Sequence, residues 1–398
     1  MPSLRTNTIN IKVIFFVILL LASLGQVSAD LYLPSIPAIK EYFDTSFKLT
    51  QLTISVYMFG FSLSQLVYGP LSDGLGRRYP LLVGLSICIA GGFLCLFSSS
   101  IYWLILGRFL QGLGAGSGMA LCRSIMRDLF SGEKLAKFGS YLSIGNIFLM
   151  ASAPLVGGYL QEHSNWRVSF MTLLGYAIVT FIVVMFLLPE TNKHRSLVYI
   201  RVVRLIKTFK SLVTCRAFVG YSACIFIAYG GVLAWVTSGP VILQYKLGFS
   251  PVQFGWIAVS VGALYAIGGV ANAFLVGTFG IVAMVRTGLM IMLIAGLLMF
   301  SLVFEGIINS AAILLPIMVF ILGTSFIFPN AFAGALTPFP KIAGFAGAIF
   351  GFMQIMGGAL SSLTLSYLPK DNQMPLSVVF IALALLGLLF TRLIASER

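Results

Sequence analysis

Gly69-Pro70-Leu71-Ser72-Asp73-Gly74-Leu75-Gly76-Arg77-Arg78 is a short basic stretch between two apolar runs, 51–70 and 80–98. Each run is about 20 residues long, the length an α-helix needs to cross the hydrocarbon core of a bilayer. The stretch reads as a tight turn joining two membrane helices. Its glycines permit a sharp turn and close helix approach. Asp73 can sit against a helix N-terminus, and Arg77 can pair with a nearby acid.

Outward from this turn the same alternation continues in both directions. Apolar runs of spanning length lie at 12–33, 51–70, 80–98, 102–122, 138–160, 168–188, 216–238, 252–275, 283–304, 311–334, 343–366 and 376–395. The 398 residues are 59% hydrophobic and only 9% charged, where a soluble domain carries about 25% charged residues. No soluble core hides that much apolar side chain, so the surplus calls for lipid. Gly (41) and Phe (34) are both abundant; glycine allows close backbone approach and phenylalanine suits lipid or a greasy cavity. The expected fold class is an all-α membrane protein with twelve transmembrane helices in two six-helix bundles. At the start of the chain, Arg5 and Lys12 precede an apolar run ending Val27-Ser28-Ala29, which imitates a secretory leader with its cleavage site. The stretch from Ile11 to Leu33 is long enough to span, and is read as the first span.

The net charge of +14 does not point to nucleic acid, because the basic residues are spread between apolar runs and form no compact basic domain. They do orient the chain. With both termini in the cytoplasm, Lys40, Lys48, Arg167, Lys246 and Lys370 fall outside and Arg108 falls within the membrane; the rest of the 25 Lys and Arg are cytoplasmic. The opposite orientation would break the positive-inside rule. One long link carries Lys193, Arg195, Arg201, Arg204, Lys207, Lys210 and Arg216 in an amphipathic stretch, read as a helix lying on an anionic leaflet. It divides the chain into an N-terminal bundle (1–190), a cytoplasmic basic connector (191–215) and a C-terminal bundle (216–398). Internal symmetry is weak: Gly277-Thr278-Phe279-Gly280 followed by Arg286 is an eroded echo of 69–78. Cys88, Cys95, Cys122, Cys215 and Cys224 show neither metal spacing nor a disulfide framework, and read as small hydrophobes.

Stretch 69–78 resembles the signature loop of the major facilitator superfamily, approximately G-x-L-x-D-x-x-G-R-R/K. The resemblance implies that Gly69, Asp73, Gly76, Arg77 and Arg78 form a cytoplasmic gate with Asp128 as the partner of Arg77, locking the two halves in the outward-facing state. Arg108-Phe109-Leu110-Gln111-Gly112-Leu113-Gly114-Ala115 resembles the fourth-span motif R-x-x-Q-G-x-G-A. Ala153-Pro154-Leu155-Val156-Gly157-Gly158 resembles the fifth-span motif of proton-coupled drug exporters, with Ala153 where many members have Gly. There Pro154, Gly157 and Gly158 are implied helix-packing residues. Asp30 through Pro37, Trp166-Arg167, and Gly344 through Gln354 look like the bicyclomycin-resistance (Bcr/CflA) branch. The branch implies a proton antiporter of drugs in the bacterial inner membrane.

Charges at bilayer depth are costly and usually functional. Asp30 lies 18 residues after Lys12, about 27 Å along a helix at roughly 1.5 Å per residue, in the outer half of the membrane. Arg108 lies five residues after the interfacial Trp103, about 8 Å below the outer surface. The similar depths predict that Asp30 and Arg108 face one cavity and interact, directly or through water and Gln111. Proton and substrate would then compete for one carboxylate. The plainer reading is a fixed salt bridge holding spans one and four together.

The second half shows no deep charge. Its polar cavity candidates are Tyr229, Trp235, Asn272, Asn330 and Gln354, with Phe328 and Phe352 nearby; Tyr32, Tyr57, Gln65 and Asn146 are candidates from the first half. For the aromatics, lipid contact or helix packing is the alternative. Such a cavity suits amphipathic, mostly apolar solutes better than sugars. His163 and His194 lie in links on opposite sides of the membrane, and the chain shows no catalytic constellation, no nucleotide-binding loop and no metal-ligand spacing. The expected function is proton-coupled export of amphipathic molecules by a monomer that partners with small-molecule substrate, protons and lipid bilayer, with no cofactor and no nucleic acid. A dedicated carrier of a metabolite such as a siderophore, in either direction, is the alternative within transport. A non-transporting sensor or scaffold is the alternative outside it, and it lacks the large soluble domain that would favour it.

Overall fold

The computed structural model describes residues 11–192 and 202–395, which form fourteen α-helices and, among the described residues, no β-strand. In chain order they are α1 (Ile11–Asp30), α2 (Ile36–Tyr42), α3 (Phe47–Leu75), α4 (Arg78–Leu96), α5 (Ile101–Leu129), α6 (Gly132–His163) and α7 (Trp166–Leu187). Then follow α8 (Val202–Thr214), α9 (Arg216–Gly239), α10 (Pro251–Phe279), α11 (Ile281–Phe304), α12 (Ser310–Leu336), α13 (Ala343–Tyr367) and α14 (Met374–Ala395). Lys193, His194, Arg195 and Arg201 of the basic link lie outside the described residues; α8 forms its second part.

Eleven segments are long and apolar enough to cross a membrane, with α1 and α2 together making one of them. The twelfth helix of spanning length is α5, 29 residues long. It carries Arg108, Arg123, Arg127 and Asp128, more charge than a lipid-facing helix tolerates. It is sheltered instead, because α1, α3 and α4 pack around it. The packing depends on small residues: a Cβ at Gly112 would overlap the Tyr57 carbonyl of α3, and one at Gly114 would strike the Cys88 backbone of α4. Close backbone approach of this kind replaces the hydrophobic effect as the glue between helices in lipid. The expected all-helical membrane architecture is therefore the one observed.

The six spans of the first half meet the last six chiefly where α3 lies along α13 and α6 along α10. Within the second half α9 packs against α12, α13 and α14, and α11 against α12 and α14.

Several boundaries differ from the sequence expectation. The quoted stretch is mostly helix: α3 runs through Pro70 to Leu75, and only Gly76 and Arg77 separate it from α4. Gly76 takes φ 96, a left-handed conformation open to glycine, and its N–H bonds back to Ser72 O at 3.1 Å. The first span, expected to run without interruption over 12–33, breaks after Asp30. Pro34 has no N–H to offer the Asp30 carbonyl, and Pro37 none for Leu33. The chain makes a turn and a 3-10 segment, Leu33–Ser35, before resuming as α2. The seventh span extends past 238, because a π-helical segment, Pro240–Lys246, continues α9.

Candidate functional site

The break in the first span places Asp30, the one buried Asp or Glu among the described residues. Asp30, the last residue of α1, is buried, with 7% of its surface exposed. Its Oδ2 accepts a hydrogen bond from Gln26 Nε2 at 3.2 Å, one turn back on the same helix. Arg108 is fully buried nearby. Its guanidinium is clamped between two tyrosine rings, 4.2 Å from the Tyr32 centroid and 4.0 Å from that of Tyr57. Such cation–π contacts are worth most when desolvated. Nη1 donates to the Ser28 carbonyl at 3.0 Å and to Gln111 Oε1 at 2.9 Å, while Nε and Nη2 are buried with no hydrogen-bond partner.

The expected direct Asp30–Arg108 pair is thus not formed. The two groups do share one buried region, but Gln111 Oε1 accepts from Arg108 and, at 3.6 Å, from Cys95 Sγ, while the carboxylate turns to Gln26. The reason lies in the break: the Ser28 carbonyl near the end of α1 supplies Arg108 with an acceptor, which a continuous helix would have used internally. Tyr32 and Tyr57, expected as cavity residues, are likewise committed to the arginine. Tyr32 shares a hydrogen bond with Thr53 Oγ1 at 3.0 Å, and the Tyr57 hydroxyl donates to the Gly25 carbonyl.

At the α3–α4 turn, Arg77 collects the polar groups of the signature stretch. Its Nε lies 2.9 Å from Asp128 Oδ2 and its Nη1 2.5 Å from Asp73 Oδ1, with Ser72 Oγ at 2.7 Å. Burial alone would lower the Arg77 pKa; the hydrogen bonds and charges of Asp128 and Asp73 more than offset this and raise it. Three further residues complete the cluster. Glu190 caps α4, its carboxylate accepting from the N–H of Arg77 at 2.8 Å and of Arg78 at 3.2 Å, as a negative charge at a helix N-terminus should. Thr191 donates to Asp128 at 3.1 Å and Asn192 to the Ser72 carbonyl at 3.2 Å. Arg78 donates to the Met185 carbonyl of α7. All these contacts join residues of the first half to each other or to Thr191 and Asn192 at the start of the connector. At this end the halves meet elsewhere: Gly69 faces the Ala348 side chain of α13, and the Arg127 guanidinium lies against Gly344.

A family model described as the Major Facilitator Superfamily matches residues 15–362. The chain belongs to the major facilitator superfamily. It is 31% identical over 388 residues to multidrug resistance protein D of Escherichia coli (strain K12), covering 96% of this chain and 94% of that one. It is 26% identical over 361 residues to a bicyclomycin resistance protein homolog of Haemophilus influenzae, covering 90% and 89%. Among solved structures it matches a D-xylose-proton symporter with a TM-score of 0.76 at 17% identity, covering 96% of each chain. That likeness concerns the superfamily fold alone.

Within this superfamily fold the fifth-span glycines have definite neighbours. A Cβ at Gly157 would overlap the Leu31 carbonyl at the break in α1, and one at Gly158 would overlap the Pro251 carbonyl of α10. Pro154 presents its carbonyl to Gly255 of α10. The motif seats α6 on the break and on the other half at once.

The remaining expected cavity residues are scattered. Tyr229 of α9 is buried and packs on Phe328, ring centroids 6.1 Å apart. Asn330 Nδ2 donates to Asn272 Oδ1 at 2.6 Å, tying α12 to α10. Trp235 is buried against Gly239. Gln65 donates to the Gly116 carbonyl at 3.4 Å. Asn146 Oδ1 is buried with no hydrogen-bond partner, and Gln354 and Phe352 are half-buried. Sequence reasoning missed Gln26, Ser28 and Thr191. Gln26 was findable, because it stands four residues before Asp30 on a predicted helix; Ser28 acts through its backbone and leaves no side-chain signal.

Proposed function

We propose that the chain is a proton-coupled exporter of amphipathic small molecules or drugs, working by alternating access, with Asp30 as the coupling carboxylate. One observation carries this reading: Asp30 is buried at the broken first span beside an arginine that is only partly hydrogen-bonded and does not neutralise it directly. A carboxylate in that setting can be neutralised by a proton, by a shift toward Arg108, or by a passenger. The names of the similar proteins, multidrug resistance protein D and bicyclomycin resistance protein homolog, favour drugs as the passengers. The aromatic and amide groups around Tyr229, Phe328, Asn272 and Asn330 suit a mostly apolar solute with a few polar groups. In this reading the protein is a monomer of the bacterial inner membrane with both termini cytoplasmic. The bundles are 1–190 and 216–398, joined by the basic connector 191–215, and the Arg77 cluster lies at the cytoplasmic gate.

The test is reconstitution into vesicles with an imposed pH gradient and a panel of lipophilic compounds and siderophores. Substrate-dependent proton movement is expected from the parent protein. Asp30→Asn should fold, as judged by size-exclusion behaviour, and lose uphill transport. Undiminished uphill transport by Asp30→Asn would remove the acid from the mechanism. Response to one siderophore alone would replace drug export with a dedicated carrier.

A further inference from the structure

Gln26 joins Asp30 to the other half of the molecule. Its Nε2 donates to Asp30 Oδ2 at 3.2 Å, and its Oε1 accepts from the Tyr229 hydroxyl at 3.2 Å. Tyr229 stands on α9, the first span of the second half. One amide therefore has the acid on one side and the opposing half on the other.

The chemistry of the three groups fixes the direction of these bonds. An ionised carboxylate only accepts, so the amide NH2 must face Asp30. The amide carbonyl is then left for Tyr229, whose hydroxyl donates. A protonated Asp30 carries a donor of its own, which can bond to Gln26 Oε1 and turn the amide around. Tyr229 then meets an NH2 group, and its hydroxyl proton loses its acceptor. Among the described residues, Gln26 is the hydrogen-bond partner of that hydroxyl; the Tyr229 ring otherwise packs on Phe328 and Gly358. A buried donor without a partner is costly.

We propose that Gln26 is a positioning residue that couples the protonation of Asp30 to the contact between the two halves, a role that presupposes Asp30 as the coupling carboxylate. The ionised acid holds Gln26 toward Tyr229 and favours closure at the end of the molecule away from Arg77; protonation releases that hold. Of the other bonds across this interface, that of Glu162 with Val252 N involves a charge and two do not. Gln51 Nε2 donates to the Thr237 carbonyl at 2.8 Å, and Ser55 and Ser362 share a hydrogen bond of 2.8 Å.

Several charged and titratable groups surround Asp30; from α4, Cys95 Sγ donates to Gln111 Oε1 at 3.6 Å beside Arg108. Arg108 faces Asp30 from α5, Tyr57 from α3 and Tyr229 from α9, and Tyr32 follows on the broken span. Arginine and tyrosine ordinarily titrate at about 10 or above. From α7, Tyr176 bonds to Ser23. The ionisable groups of α6 sit toward its ends, where Glu162 accepts from Val252 N at 3.1 Å and His163 is exposed. Both are ionisable and stand beside the helices that are labelled below, so they are removed from the test.

The full-length protein carrying Glu162→Gln, His163→Gln, Cys215→Ser and Lys370→Met, the last because burial pushes the Lys370 pKa down to about 8, is spin-labelled through Tyr159→Cys and Trp256→Cys, two exposed positions on α6 and α10. Distances are measured by pulsed electron resonance in lipid nanodiscs at pH 5.5 and pH 9. In this parent the ratio of closed to open populations should rise with pH by about fivefold, the size of one ordinary hydrogen bond. Gln26→Leu and Tyr229→Phe, which keeps the ring on Phe328, should each lose that rise. A Tyr229→Phe protein that responds to pH as the parent does overturns the role of Gln26 and leaves Asp30 untouched. A rise that survives in Asp30→Asn removes Asp30 itself as the proton site. A parent with no rise overturns the Gln26 coupling, and the vesicle assay still decides on Asp30.

Discussion

Replacing Gly157 by alanine should damage both the stability and the transport of this protein. The added Cβ would overlap the Leu31 carbonyl oxygen, a backbone atom that cannot rotate out of the way. The Cβ would lie 1.6 Å from that oxygen and must reach at least 3.0 Å, so helix α6 must retreat from the break in α1 by about 1.4 Å, in an interior packed as densely as a crystal. Overpacking of this kind costs about 1–3 kcal/mol. Leu31 is the neighbour of Asp30, so the carboxylate moves with it, and a misplacement of about 1 Å at a working group costs on the order of 100-fold in rate. Two further alanines separate the causes. Gly158→Ala meets the Pro251 carbonyl in the other half, so its cost falls on the approach of the halves. Gly175→Ala has nothing within 4 Å. Thermal unfolding in detergent and pH-driven export from vesicles are the readouts. Gly157→Ala should lower both, Gly158→Ala mainly export, and Gly175→Ala neither. A Gly157→Ala protein as stable and active as the parent would refute the seating of α6 on the break.

Arg77→Ala should destabilise by about 3 kcal/mol, the low end for breaking a buried pair, because Asp128 is 21% exposed and Asp73 46%. Arg77→Ala with Asp128→Asn should recover part of the loss in the same unfolding assay. Lys370, in the link between α13 and α14, has its pKa pushed down to about 8 by burial. The fold therefore disfavours its charge, and the unfolded chain binds more protons between about pH 8 and the ordinary lysine value near 10.4. Stability should rise with pH across that window, and Lys370→Met should flatten the rise in melting temperature between pH 7.5 and pH 10.5.

The helices were legible because lipid leaves the backbone no other choice: runs of about 20 apolar residues must satisfy their hydrogen bonds internally. The break after Asp30 was also readable, since Pro34 and Pro37 deny donors to Asp30 and Leu33, although a hydropathy count alone runs across it. The Asp30–Arg108 pairing was reasoned from depth along each helix. Depth brought the two into one region but said nothing about which way each side chain turns. Arg108 was captured by the Ser28 carbonyl and two tyrosine rings, partners whose attraction depends on helix rotation and on a carbonyl freed by the break.

The amino-acid sequence by itself determined the class of fold, the number of spanning helices and the residues too costly to bury without a purpose, because each follows from local composition and the length scale of a bilayer. Only the tertiary structure decided partnership: that Asp30 turns to Gln26, that Gln26 reaches Tyr229 some two hundred residues away, and that Gly157 and Gly158 touch different halves. Such contacts depend on the relative rotation and spacing of helices, which are set by how their small residues interlock across the whole molecule. No stretch of sequence records that on its own.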